Sequence, residues 1–249
     1  MNKFNYENKQ YLEKLNELSE SYYSKYILFI KKYLKSNESL FLDVGCGSGI
    51  VLRLLKSQGY ENGYGAEISK LFVKEAKSRG LSNVYHYDGT NLPFNGQKFD
   101  LIGSFNVLEH TSEPEIFIKN QISKLKLKGI LIVACPNFLS VLFRSNHRRL
   151  KGLGRKLSNL LIIISKLLSP VYSFERMDPV IRKKFEYDDD AIVVTNLLDL
   201  KSILKKNNCR IIYESGFINY DTALFRIINV IPLARYLLPS CFIVAQKIK

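Results

Sequence analysis

The chain has 249 residues, 46% of them hydrophobic, and its 37 Lys and Arg against 23 Asp and Glu give a net charge of +14. This length and composition are ordinary for a protein with a proper core, and we predict a single domain over residues 1–249. The four cysteines lie far apart, without a C-x-x-C pair or a histidine cluster, which argues against a disulfide framework and a zinc site. The polar N-terminus lacks the apolar core of a signal peptide, so we expect a cytoplasmic protein.

Much of the positive charge lies in one segment. From Arg144 to Lys184 there are eleven Lys and Arg against the two acids Glu175 and Asp178, a net charge of +9. Nucleic acid, an anionic membrane surface or a phosphorylated substrate would each account for such a segment. A lysine-rich face that contacts only solvent would also account for it.

Apolar runs and turn residues predict the elements in chain order. The first 36 residues form an N-terminal helical segment, with a helix over 22–34, and alternation of strands and helices follows. We predict strands at 40–44, 63–67, 84–87, 99–105, 129–135, 210–214 and 241–247. The predicted helices cover 50–58, 71–79 and 196–207, and a further helix runs from the capping box at Ser112 to about residue 125.

This alternation predicts the fold class. It builds βαβ units, and we expect an α/β, Rossmann-like, seven-stranded, mostly parallel sheet with helices on both faces. Ligands in such sheets bind in the crevice beyond the carboxyl ends of the strands. The alternation stops over residues 137–190, which we interpret as a basic, amphipathic helical insertion because strand signals are missing there.

A glycine-rich loop follows the first predicted strand. Gly45, Gly47 and Gly49 alternate with Cys46 and Ser48 before the next helix. Backbone amides and the positive end of that helix then point into the crevice, where a ligand can approach the main chain. The spacing is one residue shorter than the G-x-G-x-x-G of nicotinamide-binding loops.

Carboxylates end the next two predicted strands. Glu67 is placed where an acid can accept hydrogen bonds from ribose hydroxyls, and Asp88 where a carboxylate can accept from an exocyclic amine. Other interpretations are open at each position. Asp43 could cap its turn, Glu67 could be a surface acid before a helix, and Asp88 could belong to an ordinary Asp-Gly turn.

Four segments in order carry a resemblance to a known family. They are Leu-Asp-Val-Gly-Cys-Gly-Ser-Gly from Leu42, the acid Glu67, Asp88 with its Leu-Pro-Phe sequence, and Phe-Asn-Val-Leu-Glu-His from Phe105. Over residues 22–135 and the closing strands the chain resembles the class I S-adenosylmethionine-dependent methyltransferases. The resemblance implies S-adenosyl-L-methionine as the cofactor.

The resemblance also implies roles for residues that would bind this cofactor. The loop would hold the methionine end, Glu67 the ribose, Asp88 with Gly89 the adenine, and the end of the fourth strand would line the pocket near the methyl group. The expected cofactor-binding residues are Asp43, Gly45, Cys46, Gly47, Gly49, Glu67, Ile68, Asp88, Gly89, Phe105 and Asn106.

Methyl transfer requires the acceptor to be held in line with the activated methyl group. If the acceptor is a hydroxyl, a base helps, and His110 is the best candidate, with Glu109 beside it. His110 could equally make a structural hydrogen bond. Of the other two histidines, His86 lies inside a predicted strand and His147 in the basic run.

Leu108-Glu109-His110 is also similar to ubiquinone-pathway O-methyltransferases. That subgroup shows E-x-x-E-H, through which it is thought to recruit a divalent metal. The chain has Asn106 at the position of the first acid. We therefore predict no metal.

The insertion contains an amphipathic helix. Basic amphipathic helices can lie in a membrane interface, and the uncharged run 157–165 is too short to span a bilayer, which needs about 20 residues. One hypothesis is a lid that docks on anionic lipid and admits a lipid-linked acceptor, joined by the apolar series at 224–231. The other is that the stripe packs on the protein's own core. The apolar side of this helix consists of Leu150, Leu153, Leu157, Leu160, Leu161, Ile164, Leu167 and Leu168. Much of its polar side consists of Lys151, Arg155, Ser158, Ser165, Lys166 and Ser169.

Together these features predict O-methylation of a small or lipid-linked acceptor, such as a sugar or a quinone precursor, by an enzyme that is cytoplasmic or peripheral on the membrane. An RNA-directed methyltransferase or RNA-binding module is the alternative, since the positive charge would supply phosphate contacts. We favour it less, because long aliphatic stretches rather than aromatic residues interleave the basic segment. A cofactor-binding protein without catalysis is a third class, and the oligomeric state is left open.

Overall fold

The structure, a computed structural model, describes residues 5–17, 20–142, 152–180, 188–217, 227, 231 and 233–249. Helices and strands alternate along most of this chain. The helices are α1 (Lys9–Asn16), α2 (Glu20–Tyr33), α3 (Ile50–Lys56), α4 (Lys70–Ser78), α5 (Pro114–Lys124), α6 (Gly152–Leu168) and α7 (Leu197–Lys206). The strands are β1 (Phe41–Val44), β2 (Gly63–Glu67), β3 (Val84–His86), β4 (Phe99–Phe105), β5 (Leu125–Pro136), β6 (Cys209–Ser215) and β7 (Ser240–Lys247).

The seven strands form one sheet in the order β3-β2-β1-β4-β5-β7-β6. β1 pairs in parallel with β2 and with β4, and β2 pairs in parallel with β3. In the register, Asp43 lies opposite Gly65 on one side and Gly103 on the other. The predicted α/β, Rossmann-like fold class is confirmed.

Local sequence explains where the helices begin. Asn8 accepts hydrogen bonds from the N–H groups of Gln10 and Tyr11, and Ser69 accepts from that of Phe72. Asn196 accepts from the N–H of Asp199. These side chains satisfy amides that have no partner within the helix. α5 begins at Pro114, as the Ser112 capping box predicts.

The predicted elements lie within a few residues of the observed ones, with one larger difference. β5 begins at Leu125, directly after α5, and includes the alternating Leu-Lys-Leu-Lys sequence before Gly129. Only the stretch from Gly129 onward is continuously buried. A run of apolar residues indicates which part of a strand is buried, but not how far its backbone hydrogen bonding extends. The sequence therefore indicates only the second part of β5.

Two compact units divide the described chain. One comprises Lys3–Phe105, Ile116–Ile132 and Gln246–Lys249, and the other comprises Asn106–Glu115 and Val133–Ala245. We call them the loop unit and the insertion unit. All four residues of β1 are buried in the loop unit, and residues 241–245 of β7 are buried in the insertion unit. The single domain over 1–249 stays a prediction.

Candidate functional site

The glycine-rich loop lies in the loop unit, between β1 and α3. Gly45, Gly47 and Gly49 all have left-handed backbone, with φ of 76°, 55° and 78°. A Cβ at Gly49 would lie 2.2 Å from Leu81 Cδ1, whereas a Cβ at Gly47 would meet nothing within 4 Å. A side chain at Gly49 would therefore have to displace Leu81, whereas Gly47 leaves open space at the crest of the loop for a ligand.

Hydrogen bonds fix the shape of this loop. The N–H groups of Gly45 and Cys46 donate to the carbonyl of Ala66 at 2.7 and 3.3 Å. The Cys46 thiol is buried, and a Cβ on Gly65 of β2 would lie 2.6 Å from its sulfur. Burial raises the Cys46 thiol pKa well above its ordinary value, so Cys46 packs as a neutral side chain.

Glu67 ends β2 beneath the loop. Its Oε2 accepts the N–H of Gly47 at 2.8 Å, and its Oε1 accepts the N–H of Ser69 at 2.9 Å. Burial raises the pKa of this carboxyl, and the two hydrogen bonds oppose that rise. The surface-acid interpretation is wrong, because Glu67 is only 7% exposed.

Asp43 is the second buried acid of this site. Burial, with a smaller contribution from the Glu67 charge, raises the pKa of Asp43 to about 8. The carboxyl is therefore mostly protonated at neutral pH when no ligand is bound. A cationic ligand group near it would favour the ionised form.

The turn after β3 contains Asp88. Its exposed carboxylate accepts from the N–H groups of Thr90 and Asn91 at 2.8 and 2.6 Å, and from Asn91 Nδ2 at 3.0 Å. These bonds, chiefly that of the Asn91 N–H, lower the Asp88 pKa. In this structure Asp88 thus acts as the turn-former of the alternative interpretation, and its contact with adenine stays a prediction.

Ile68 and Gly89 lie side by side in the loop unit. Ile68 is 42% exposed, and its Cδ1 would lie 3.2 Å from a Cβ on Gly89. An exposed apolar surface of this kind suits one face of an aromatic base. With the open crest at Gly47 and the buried acids Asp43 and Glu67, the loop unit fits S-adenosylmethionine, which carries a cationic amine, a ribose and an adenine.

Two N-terminal side chains also reach this site, and sequence reasoning missed them. Glu7 accepts the N–H groups of Lys70 and Leu71 at the start of α4, and the hydroxyl of Ser48 donates to Asn16 at 2.6 Å. No motif joins residues so far apart along the chain. The sequence contains one signal: the first turn of α4 has no acid of its own, so an acid from elsewhere in the chain can stabilise the N-terminus of this helix.

Phe105 and Asn106 mark the end of β4. The ring of Phe105 lies 4.5 Å from that of Tyr26, measured between centroids. Asn106 has left-handed backbone, with φ of 57°, and its N–H donates to Ala134 at 2.8 Å. The role of both residues near the methyl group stays a prediction.

His110 lies in the insertion unit between two carboxyl groups. Its Nε2 is 3.6 Å from Glu109 Oε1, and its Nδ1 is 3.3 Å from Asp190 Oδ2. Burial opposes the charged imidazole, but the neighbouring charges, first among them that of Asp190, outweigh it and raise the His110 pKa above 6.5. The histidine is therefore polarised by its acidic neighbours.

Glu109 is completely buried. Within the part of the chain that the structure describes, neither of its carboxyl oxygens has a hydrogen-bond partner. Burial therefore raises the Glu109 pKa well above its ordinary value, which favours the neutral acid. Sequence reasoning placed Glu109 beside His110 but could not foresee this environment.

The end of the insertion and the residues directly after it form the surroundings of Glu109 and His110. The N–H groups of Ile192 and Val193 donate to the carbonyl of Glu109 at 2.8 and 3.0 Å. Arg176 donates to the carbonyls of Thr111 and Ser112. Asp188 and Asp190 thus reach His110 from far along the chain. The only sign of these acidic neighbours in the sequence is the run of three aspartates at 188–190.

Three side chains here lie close enough to share a cation. Ligand atoms of Glu109, His110 and Asp188 are within 4.8 Å of one another. The chain lacks a carboxylate at Asn106, where the ubiquinone-pathway subgroup has one. We assign no ion to this group, and the absence of a metal stays a prediction.

Helix α6 presents its apolar side outward. The side chains with large exposed fractions are Leu153, Leu157, Leu160, Leu161, Ile164, Leu167 and Leu168, ranging from 37% to 82%. The interpretation that this stripe packs on the protein's own core is wrong for these seven residues. Within the described segments, no helix is long and apolar enough to cross a membrane.

The polar side of α6 holds the helix in place. Arg155 and Asn159 are buried, and both donate to the carbonyl of Ser140, at 3.1 and 3.2 Å. Lys166 Nζ lies 2.7 Å from a carboxylate oxygen of Asp199. The polar side of the amphipathic pattern therefore contacts the protein.

Several sequence predictions lie outside the described residues. They concern His147, Leu150 and Lys151, the basic residues at 144, 148, 149 and 182–184, and most of the series at 224–231. Of that series, Ile227 and Ile231 are described, and both are exposed.

Comparisons with known proteins bear on the family and the fold. Residues 42–133 match a family model described as a methyltransferase domain, and this segment contains most of β1, all of β2 to β4 and the glycine loop. A solved S-adenosylmethionine-dependent methyltransferase from Clostridium acetobutylicum has a TM-score of 0.58 at 16% identity, with 93% of each chain covered. At this identity the structural likeness shows the fold alone.

Two sequence relatives extend the comparison. An uncharacterized protein of Methanocaldococcus jannaschii is 28% identical over 70% of the chain and 78% of its own length. A ubiquinone biosynthesis O-methyltransferase of Chelativorans is 30% identical over 45% of the chain, which covers only 42% of that enzyme. The family match over residues 42–133 and these relatives, together with the fold, the glycine loop and its buried acids, support a class I S-adenosylmethionine-dependent methyltransferase.

Proposed function

We propose that the chain methylates an oxygen of a small or lipid-linked acceptor, with His110 as the base. The observation that supports this most is the position of His110 between the carboxyl groups of Glu109 and Asp190. A histidine whose pKa is raised by neighbouring charges is a stronger base than an isolated one.

His110 has one main task in this reaction. S-adenosylmethionine, when bound, supplies a methyl group activated on a sulfonium. The neutral imidazole takes the proton of the acceptor hydroxyl, so that the oxygen lone pair can form the new bond to carbon while the carbon–sulfur bond breaks and a neutral thioether leaves. The His110 side chain is 14% exposed, which leaves an edge for the acceptor, whereas Glu109 is shut off from solvent.

We further propose that the enzyme works in the cytoplasm, peripherally on anionic membranes. The outward leucine side of α6 supports this, because an exposed apolar helix face near basic residues inserts into a charged interface. An amphiphilic acceptor would be concentrated at the same surface. The exposed face is aliphatic rather than aromatic, which favours lipid over single-stranded RNA.

Radiolabel transfer tests the proposed reaction. The protein would be incubated with S-adenosylmethionine labelled in its methyl group and with lipid-linked sugars, quinone precursors and RNA in separate reactions. We expect base-stable label in a lipid-linked or small hydroxyl acceptor and a large loss of turnover in a His110→Ala variant. Label in RNA alone, or full turnover of the variant, would contradict the proposal.

A further inference from the structure

We propose that Asp190 is the positioning residue of His110. It accepts the Nδ1–H of the imidazole and thereby holds the tautomer in which Nε2 is unprotonated. This inference deepens the proposed function, because a base must present a free nitrogen to the acceptor. Asp190 is the last residue of the insertion, and no sequence motif links it to His110.

The first support is the geometry of the pair. His110 Nδ1 and Asp190 Oδ2 are both buried, and neither has a hydrogen-bond partner among the described residues. They lie 3.3 Å from one another. A buried donor and a buried acceptor without other partners are costly, and a small approach would satisfy both.

The second support is the way in which Asp190 is held. The N–H of Ala191 donates to Asp188 at 3.1 Å, and the N–H of Ile192 donates to Glu109 at 2.8 Å. The backbone on the C-terminal side of Asp190 is thus bonded to the turn that contains His110. A carboxylate fixed in this way can orient a ring without entering the reaction.

The opposite nitrogen has a different neighbour. Three acidic side chains, Glu109, Asp188 and Asp190, act on the imidazole, and a backbone hydrogen bond with Asp190 makes a smaller contribution. Glu109 faces Nε2 at 3.6 Å, beyond hydrogen-bond distance, and its complete burial favours the neutral acid. The Nδ1 side therefore decides which nitrogen carries the proton.

Nitrogen NMR measures this tautomer directly. Two-bond proton–nitrogen correlation spectra of histidine-labelled protein distinguish the two neutral forms, and the chain has only three histidines to assign. A His110→Gln variant identifies the His110 signals. We expect the Nδ1–H form in the unmodified protein, recorded above the pKa of His110.

The Asp190→Asn variant should change the tautomer of His110. Its amide can donate to Nδ1, so we expect the Nε2–H form to become substantially populated. The control is Asp178→Asn, which changes an exposed aspartate and should leave the His110 signals unchanged. A purely structural role for Asp190 would not alter the tautomer.

Two outcomes would overturn the inference. One is the Nε2–H form in the unmodified protein, which decides the question even if Asp190→Asn fails to fold. The other is a folded Asp190→Asn protein with an unchanged tautomer. Neither outcome depends on catalysis. If the spectra are as expected but the His110→Ala variant keeps full turnover, the base proposal is wrong and the positioning role of Asp190 still holds.

Discussion

The N–H of Gly47 donates to Oε2 of Glu67 over 2.8 Å, which connects the crest of the glycine loop to the end of β2. The second oxygen of Glu67 accepts from Ser69 at the start of α4. One buried carboxylate thus organises the loop and the helix on either side of it. Each oxygen still has a lone pair for a ribose hydroxyl.

Asp43 should make stability depend on pH. The pKa of its carboxyl is about 8 in the folded protein against an ordinary value of 3.8, so the folded state binds more protons between these values. The free energy of unfolding should therefore fall as pH rises through this window, by at most about 1.4 kcal/mol per pH unit. Denaturant unfolding of Asp43→Asn should show a smaller fall. Equal slopes for the two proteins would contradict this account.

Replacing Gly49 by alanine should destabilise the protein more than the same change at a glycine with free space around its Cβ position. Gly49→Ala combines left-handed backbone, which costs about 1–2 kcal/mol, with a clash against Leu81 that adds about 1–3 kcal/mol. Gly96→Ala is the matched control, since Gly96 has φ of 74° and nothing within 4 Å of its Cβ. Denaturant unfolding should show the larger loss at Gly49. An equal loss at both positions would mean that Leu81 moves aside freely.

The outward side of α6 should bind anionic vesicles. Replacing Leu153, Leu157 and Leu161 by Ser should abolish flotation with phosphatidylglycerol vesicles, because each inserted leucine contributes about 1.5 kcal/mol or more. The control replaces Leu28 and Leu127, which are 69% and 65% exposed elsewhere in the chain. Single-stranded RNA is tested at the same salt concentration. RNA binding without flotation would contradict the membrane proposal.

The base proposal predicts the acidic limb of the pH profile. Turnover should fall as pH drops through the His110 pKa, which burial lowers but which the neighbouring charges, first among them that of Asp190, raise above 6.5. Asp190→Asn removes the first of these charges and should move the limb to lower pH. Initial methyl-transfer rates over a pH series measure it. A limb that stays in place would exclude Asp190 as the main perturbing charge.

The sequence predicts the loop unit well, because its physical signals are local. Short apolar runs mark the buried strands, and glycines at Gly45, Gly47 and Gly49 mark a turn that other residues could not adopt. Asp43 and Glu67 could be placed because each lies in or at the end of a strand in a parallel sheet.

The insertion could not be predicted to the same depth. An amphipathic pattern separates two faces of α6 but does not say which one contacts the protein, and here the carbonyl of Ser140 is bonded by Arg155 and Asn159. Asp190 reaches His110 across a long stretch of chain, which no periodicity reveals.

Calorimetric titration of S-adenosylmethionine into the protein and its Glu67→Ala variant is the most direct test of the account. Glu67 anchors the loop through Gly47 and Ser69, and we expect at least a tenfold loss of affinity, about 1.4 kcal/mol. Glu61→Ala, at an exposed position, is the control and should bind like the unmodified protein. Unchanged affinity in a folded Glu67→Ala protein would contradict the assigned cofactor site.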